Sequence, residues 1–553
     1  MSLNNYSVLL ALCWLVACIS LSGMIPGRFE PDEFRSMKTQ RAPNTEESMP
    51  VEVDYLHLPI KMWTSDFHIS TVFDIKYILS KLSNVSVIDK SLSGHCHLTN
   101  TCQVDLKVIN AINGIYLSPC PNRLRKLFYD VYVHDPEFQS ADAYLCTHAS
   151  SMCELYMPFG KPIVVVASTR YEIGRHSPSR WKTWNENLRL LAAKEGNVVA
   201  ANNAYDQEYI RYFTGLGSSP RHVSYRPSSG TPNTEPTVSL LPSLCAYVQT
   251  TYRPDTRRQE ILIAPGRGVN AVISAELLLT AQTRRDRDNA RISSNSSTRP
   301  LSSPSDVIVS VPPIRHLRDM YPHYEYSDLA SHPAMVLLPY QVSFMLFFEL
   351  YQMAIPLFVP APQLLAQWHI QHRVLSERSW GLVYGAPTRS SVLPVHPAYA
   401  TSPNSLKSDP NNEFDVDAVL EWISLADFYQ LPHTLIFSSL DDLMDQLSSP
   451  SLSERLQQTS RDMMAHNKGR NAAVQRQWGE VVDEVRHRKA LRSAPEMSDG
   501  RGVTVTATPV RSGLRVGKRR PRGPGQGESF EEALEKQYGV RLLGKVCEGQ
   551  TIQ

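Results

Sequence analysis

The stretch AMVLLPYQVSFMLFFELYQMAIPLFV, residues 334–359, combines a strand, a polar turn, a helix and the beginning of a second strand. The apolar run Met335–Leu338 predicts a buried strand, and Pro356 opens the next one. The helix between them carries Glu349 among phenylalanine, leucine and methionine side chains. A carboxylate in such apolar surroundings is unfavourable without a polar partner, so we expect Glu349 to meet a ligand.

Strands and helices alternate on both sides of this stretch. Apolar runs such as Ile163–Ala167 and Ile261–Ala264 are separated by segments with helical periodicity, and this alternation is typical of a parallel α/β sheet. The chain has 553 residues, which is more than one hydrophobic core usually organises. We therefore predict two Rossmann-like parallel-sheet domains that face a cleft, at 51–240 and 255–450.

The order of strand, polar turn, Glu-bearing helix and proline resembles the nucleotide-sugar site of two-domain GT-B glycosyltransferases, especially the retaining group with an E-x7-E motif. In that group the second Glu begins a stretch of the form E-A-M-A-x-G-x-P. Glu349, Ala354 and Pro356 occupy its first, sixth and eighth positions. Gln341 stands where the motif has its first Glu, which puts the sugar-side role of that position in doubt.

The resemblance implies a glycosyltransferase whose second domain binds a UDP- or GDP-linked sugar, without an obligatory metal or other cofactor. Glu349 would hold the ribose hydroxyls, and the start of its helix would meet the phosphates. The expected donor-binding residues lie in the turn, in the helix and after strand 261–264: Tyr340, Gln341, Ser343, Glu349, Gly266 and Arg267. The lysine that the family usually has a few residues beyond Arg267 is absent.

In the first half of the chain, polar clusters follow the predicted strands. Open α/β sheets bind their ligands at the carboxyl ends of the strands, so these clusters are candidates for catalysis and for binding a glycan, protein or lipid acceptor. The residues expected there are His148, Arg170, Glu172 and His68. A histidine at the end of a strand can equally have a structural role.

The segment Val8–Ile25 is uncharged and ends at Pro26. Its length lies between that of a signal-peptide core and that of a short membrane span. No basic residue precedes it, and small residues near its end would allow cleavage, so a signal-anchor and a cleaved signal peptide both remain open. Either one predicts the lumen of the Golgi or endoplasmic reticulum, as a single-pass membrane protein, or secretion.

Cysteines and glycosylation sequons agree with a lumenal chain. Sequons begin at Asn84 and Asn295. Six of the seven cysteines beyond the leader lie in the first half of the chain, and in an oxidising lumen Cys96 and Cys102 could close a short loop. Cys146 and Cys153 are equally well explained as buried thiols.

The remaining segments are defined by composition. They are a leader at 1–25, a stem at 26–50, polar insertions at 284–305 and 387–412, C-terminal helices at 451–490 and a basic tail at 491–553. The insertions and the tail have few large apolar residues, so we predict that they are disordered, apart from one short helix in the tail, and that the insertions are dispensable. The formal net charge of +2 argues against a nucleic-acid partner.

Two other functional classes fit the same residues. One is a GT-B-fold nucleotide-sugar epimerase or hydrolase. The other is a non-catalytic lumenal protein that binds a sugar nucleotide, which Gln341 and the missing lysine would suit. Asp415-Val416-Asp417 imitates the metal-binding DxD of the other glycosyltransferase fold, but it precedes a helical segment and is better explained as a helix cap.

Overall fold

The structure, a computed structural model, contains two parallel β-sheets covered by helices. It describes residues 55–65, 69–90, 108, 121–168, 171, 178–218, 236–264, 270–295, 310–383, 385–493 and 530–538. The predicted α/β class with two parallel-sheet domains is confirmed.

The first sheet has seven strands in the order β2-β1-β3-β4-β5-β7-β6, and all its pairings are parallel. Its strands are β1 Ile60–Thr64, β2 Val85–Asp89, β3 Ala143–Cys146, β4 Ile163–Ala167, β5 Val198–Ala201, β6 Gly217–Ser218 and β7 Thr237–Leu240. The central strands β3, β4 and β5 are buried along their whole length. Burial on both faces explains why they are continuous apolar runs.

The second sheet has five parallel strands in the order β12-β11-β10-β8-β9. Its strands are β8 Ile261–Ala264, β9 Ile314–His316, β10 Met335–Leu337, β11 Leu357–Pro360 and β12 Leu435–Phe437. The stretch 334–359 therefore forms strand β10, the following helix and the start of β11, as predicted.

Helices cover the faces of both sheets. In the first domain they are α1 Ile69–Ser80, α2 Pro121–Tyr132, α3 Pro136–Gln139, α4 Cys153–Tyr156, α5 Pro178–Ala193 and α6 Ala204–Thr214. In the second they are α7 Ala271–Asn295, α8 Leu317–Met320, α9 Tyr326–Ala330, α10 Met345–Gln352, α11 Pro362–His372, α12 Trp380–Val383, α13 Pro397–Ala400, α14 Val416–Ile423, α15 Asp427–Gln430 and α16 Leu440–Leu447. Two C-terminal helices follow, α17 Leu452–Ser493 and α18 Phe530–Tyr538.

Helix α17 belongs to both domains. Its first half packs with α10, and its second half packs with α1 and β1. Val474 and Trp478 lie in one apolar cluster with Ile60 and Met62 of the first sheet. The predicted C-terminal helix is thus longer than expected, and it returns to the first domain.

Both insertions contain more order than the sequence predicts. Tyr399 of α13 is buried and donates a hydrogen bond to Glu208 of the first domain at 2.5 Å. Asn411 is also buried and bonds to Tyr209. The prediction of disorder for 387–412 is therefore wrong, because its few aromatic and amide groups find partners in another domain.

The insertion at 284–305 begins inside a helix, since α7 runs on to Asn295. Arg284 bonds to Asp445 of α16 at 2.7 Å, and Asp288 is buried. These contacts stabilise the extension, so the prediction of disorder is wrong for its first half. Residues 296–305 lie outside the described part of the chain.

Several predictions about processing fall partly on described residues. Cys146 and Cys153 form a disulfide rather than two buried thiols, and Cys245 is a buried free thiol. Asn84 is exposed in the turn before β2. Among the described residues no helix is both long and apolar enough to cross a membrane. The leader, the stem, Cys96 and Cys102 lie outside those residues.

Candidate functional site

Both sheets contain the same strand order, with one reversal each. Five strands of the first sheet run in the order β2-β1-β3-β4-β5, and the second sheet reads β9-β8-β10-β11-β12. In open α/β sheets a ligand crevice forms beyond the carboxyl ends of the strands at the point where the order reverses. The topology therefore gives two crevices, one at β1 and β3 and one at β8 and β10.

Two of the predicted donor-binding residues, Tyr340 and Gln341, lie at the second crevice. Tyr340 and Gln341 follow β10, and the Gln341 Nε2 donates to the Tyr340 hydroxyl at 3.1 Å. Asn270 donates to the carbonyls of Leu338 and Pro339 at 3.3 and 2.9 Å, and so ties the loop after β8 to the end of β10. Gly266 and Arg267 belong to that loop but lie outside the described residues.

Glu349 lies on α10 where the two domains meet. Its Oε1 accepts hydrogen bonds from the Tyr247 hydroxyl at 2.6 Å and from the Tyr326 hydroxyl at 3.0 Å. Tyr247 belongs to the segment between the sheets, and its ring packs edge-on against Phe73 of α1 at 4.9 Å. The Glu349 carboxylate is therefore connected to the second domain through Tyr326 and to the first domain through Tyr247 and Phe73.

The two carboxylate oxygens of Glu349 differ in their hydrogen bonding. Within the described ranges Oε2 accepts no hydrogen bond, and the residue is only half-buried. Burial raises the pKa of the carboxyl, while the two tyrosine hydroxyls oppose that rise. An incoming hydroxyl would supply a further hydrogen bond to the charged form, which such bonds stabilise.

The backbone beyond α10 fits the family stretch. Ala354 has a φ of 58°, in the left-handed region where glycine is favoured. It occupies the place where the related stretch has Gly. The tight turn between α10 and β11 therefore has the same backbone requirement, although this chain fills it with alanine.

Ser343 turns toward a second acidic residue. Its hydroxyl bonds to Asp427 at the start of α15, and the Asp427 amide donates to the Val342 carbonyl at 3.2 Å. Burial raises the pKa of Asp427 to about 8, although Ser343 and the charge of Arg470 oppose the shift. Ser343 thus connects the turn after β10 to the start of α15. Its role in binding the donor stays a prediction.

His148 lies at the first crevice, directly after β3, and is half-buried. Nearby, polar side chains from the ends of β3, β4 and β5 line a cavity of about 10 Å³: Thr147, Ser168 and Asn202. That volume suits about one water molecule. Arg170, Glu172 and His68 lie outside the described residues.

Asp74 of α1 lines the same cavity and is fully buried. Its Oδ2 accepts a hydrogen bond from the Leu244 amide at 2.7 Å, and its Oδ1 is buried without a partner. Burial raises the pKa of Asp74 to about 6, against the Leu244 bond and the charge of Arg470. A buried oxygen that faces a polar cavity is a position for a water molecule or a ligand hydroxyl.

Arg470 of α17 connects the two acidic groups electrostatically. It lowers the pKa of both Asp74 and Asp427 from the values that burial alone would give. Its Nη2 donates to the Ser243 carbonyl, and its guanidinium lies 5.5 Å from the Phe348 ring centroid. The positive charge of Arg470 on α17 thus acts on one carboxyl group of each domain, Asp74 in the first and Asp427 in the second.

Sequence reasoning missed five of these residues: Asp74, Tyr247, Tyr326, Asp427 and Arg470. Asp74 interrupts the apolar run Val-Phe-Asp-Ile, and that signal could have been used because it is the one by which Glu349 was found. Tyr247, Tyr326, Asp427 and Arg470 have no distinctive local pattern in the sequence. Their roles arise from tertiary contacts between distant segments, so no local pattern predicts them.

Comparisons with known proteins give weak likenesses. No protein-family model and no curated protein match the sequence. A solved structure described as the glycotransferase of kitacinnamycin is 11% identical, with 76% of this chain and 99% of that chain covered at a TM-score of 0.27. The glycosyltransferase SnogD from Streptomyces nogalater is 10% identical, with 75% and 100% covered at a TM-score of 0.30. Both TM-scores are too low for either likeness to support a function for this chain.

Proposed function

We propose that this protein is a GT-B-type glycosyltransferase that transfers a sugar from a nucleotide-sugar donor to an acceptor in the cleft. The main support is Glu349. It is a half-buried carboxylate at the meeting of two parallel-sheet domains, with one oxygen held by two tyrosines and Oε2 without a partner in the described chain. Its register with Ala354 and Pro356 agrees with the E-x7-E resemblance.

In this proposal the donor lies at the second crevice. A ribose hydroxyl donates to Glu349 Oε2, and the sugar end lies near Gln341 and Tyr340. The start of α10 provides free amide groups for the diphosphate. Arg267 is the candidate counter-charge for that diphosphate.

The acceptor lies at the first crevice, beside His148. Transfer forms a bond from an acceptor oxygen to the anomeric carbon and breaks the bond from that carbon to the diphosphate, and the acceptor hydroxyl loses its proton. His148 is the proposed proton acceptor, since an imidazole titrates near neutral pH. Arg170, Glu172 and His68 remain candidates for binding the acceptor.

The proposed compartment is the lumen of the secretory pathway or the exterior. The disulfide between Cys146 and Cys153 supports an oxidising environment. The leader Val8–Ile25 supports entry into the endoplasmic reticulum. Glycosidase treatment of protein expressed in a eukaryotic cell should increase its mobility if Asn84 or Asn295 carries a glycan; unmodified cytosolic protein would contradict the assignment.

A thermal-shift panel tests the donor assignment. Full-length protein is incubated with UDP- and GDP-sugars, the free nucleotides and the free sugars, and the melting temperature is compared. We expect stabilisation by one nucleotide sugar, and no comparable effect of the free sugars. Failure of every nucleotide sugar to bind would overturn the proposal.

Turnover assays with the nucleotide sugar that binds distinguish a transferase from the alternative functional classes. Turnover of the donor only when an acceptor is present indicates a transferase. Release of free sugar in water indicates a hydrolase, and conversion of the bound sugar to its epimer indicates an epimerase. Tight binding without any turnover indicates a non-catalytic protein, which would agree with Gln341 standing where the E-x7-E motif has its first Glu.

A further inference from the structure

A second pocket lies at the amino end of the first sheet, on the side opposite the crevice. Its volume is about 230 Å³. Lys161 lies just before β4, Lys194 follows α5, and Arg488 and Arg492 come from the last turns of α17. Nothing in the proposed transferase mechanism uses these residues.

The wall of this pocket has an excess of positive charge. It contains four basic side chains and one acidic side chain, that of Glu195. Glu195 pairs with Arg488, which also bonds to Glu484 at 2.7 Å. Within the described chain Lys161, Lys194 and Arg492 have no carboxylate at ion-pair distance. The charge of Asp142 acts on Lys161 and Arg492 from outside ion-pair distance, and Asp142 itself pairs with Lys489 at 3.0 Å. The cavity therefore keeps an excess of positive charge.

Hydrogen-bond donors remain on the two lysines. Lys161 Nζ donates to the Gln139 carbonyl at 2.6 Å, and Lys194 Nζ donates to Gln537 Oε1 at 2.9 Å. An ammonium group has three donors, so each lysine retains further donors for a ligand. Arg492 uses Nη2 for the Asp142 carbonyl at 3.2 Å and keeps the other nitrogens of its guanidinium.

Helix α18 completes the surroundings of Lys194. The Tyr538 ring lies 4.3 Å from Lys194 Nζ, beside the Gln537 contact. Gly160, with a φ of 69°, allows this approach, because a Cβ there would lie 2.5 Å from Gln537 Nε2. The C-terminal helix therefore fixes the position of one of the pocket's cations.

We propose that this pocket binds a phosphate or sulfate group. Arginine forks and ammonium groups are the side chains that bind such oxyanions in proteins, and the cavity leaves room for one between them. Burial lowers the pKa of Lys161 and of Lys194 to about 8, and a bound anion would reverse that shift. The group can come from a free inorganic anion or from an ester on a larger ligand, such as a sulfated glycan.

Isothermal titration of the full-length protein tests the pocket. The probes are inorganic sulfate, inorganic pyrophosphate and a sulfated hexasaccharide, each at constant ionic strength. We expect saturable binding of at least one probe. In the double variant Lys161→Gln and Lys194→Gln, affinity should fall about tenfold or more, since two charged hydrogen bonds are lost.

A matched double variant controls for charge alone. Lys126→Gln and Lys182→Gln remove two exposed lysines from the same domain, and affinity should change by less than about twofold, the scale expected of screened surface charges. Preferred binding of the hexasaccharide identifies an ester ligand, and preferred binding of the inorganic ions identifies a free anion. Equal loss in both double variants, or no binding of any probe by the wild type, would overturn the proposal.

The single variant Arg492→Gln tests the pocket even if the double variant Lys161→Gln and Lys194→Gln does not fold. Arg492 is on the last turns of α17, and its loss removes one fork from the cavity. Its melting temperature should stay near that of the wild type while anion affinity falls. Unchanged anion affinity in a folded Arg492→Gln protein would also contradict the site. Inorganic sulfate resembles neither the nucleotide nor the diphosphate of the donor, so a loss of sulfate binding in these variants does not depend on whether the cleft binds a nucleotide sugar.

Discussion

Glu349 and Asp427 are two acidic residues of the second domain that lie near its border with the first domain, and they are held in different ways. Glu349 is half-buried, accepts two tyrosine hydroxyls on one oxygen, and leaves the other oxygen without a partner among the described residues. Asp427 is buried, bonds to Ser343, and is influenced by the charge of Arg470.

Under the proposed function, this difference distinguishes a ligand-binding carboxylate, Glu349, from a structural one, Asp427. Burial raises the pKa of both carboxyl groups, so the pKa shift alone does not distinguish them. Exposure does: Glu349 is half-buried, whereas Asp427 is buried, with its Oδ2 also lacking a partner, and its amide connects α15 to the turn 340–344. We therefore expect variants of Glu349 to change binding and variants of Asp427 to change stability.

The largest expected effect is on the pH dependence of stability, tested with Asp427→Asn. In the wild type the folded pKa of Asp427 is about 8 and the ordinary value is 3.8. Folding therefore favours the protonated group, and this contribution is lost as the pH rises from about 4 to 8. Between pH 5 and 7 the wild type should lose roughly 2–3 kcal/mol relative to the variant.

Urea unfolding at a series of pH values measures this difference. Asp441→Asn, at an exposed position of α16, is the matched control variant. Parallel curves for the wild type and Asp427→Asn would show that Asp427 is not protonated in the folded protein.

Arg470→Met should destabilise the protein by about 1.5–3 kcal/mol, the scale of a charged hydrogen bond. The variant removes the bond to the Ser243 carbonyl and the cation near Asp74 and Asp427. Chemical denaturation at pH 7 gives the change, with Arg461→Met, an exposed position of the same helix, as the control. Equal stability of the two variants would remove Arg470 from the interface.

Glu349→Gln should weaken donor binding by about 1–3 kcal/mol while the free energy of unfolding changes little. The charge that accepts the ribose hydroxyl is lost, and the amide oxygen can still accept from Tyr247 and Tyr326. Titration with the nucleotide sugar found in the thermal-shift panel measures the effect. Glu276→Gln, on the exposed side of α7, is the matched control. Unaltered donor affinity in folded Glu349→Gln protein would assign Glu349 to structure, like Asp427.

Tyr326→Phe should have the smallest effect, about 0.5–1.5 kcal/mol in donor affinity. It removes one of the two hydroxyls that orient Glu349, and Tyr247 remains. Tyr252→Phe is the control, because its hydroxyl bonds to the Pro333 carbonyl, away from Glu349. If both variants bind the donor equally well, Tyr326 has no role in positioning the carboxylate.

Much of the fold was predictable because it depends on local patterns. The buried strands β4 and β8 are continuous apolar runs, and Asp415 caps α14 by accepting from the Asp417 and Ala418 amides, as predicted. The order of segment 387–412 was not predictable in this way. Tyr399 and Asn411 are stabilised by Glu208 and Tyr209, which lie about two hundred residues earlier in the chain.

The candidate site was also only partly predictable from the sequence. Glu349 is visible in the sequence because a charge stands in an apolar helix. Tyr247 and Tyr326, which hold its Oε1, come from different segments and have no signature of their own. Arg170, Glu172, His68, Gly266 and Arg267 stay predictions, since they lie outside the described residues.

The path of α17 sets how the cleft can move. The chain passes between the domains through segment 241–260 and again along α17, whose 42 residues span about 63 Å. Arg470 on the second passage bonds to the Ser243 carbonyl on the first. Two bodies joined at neighbouring points rotate most easily about the line through those points. We therefore expect Arg470 to lie near the axis of any such rotation, and we expect the hydrogen bond from Tyr399 to Glu208 to restrict it.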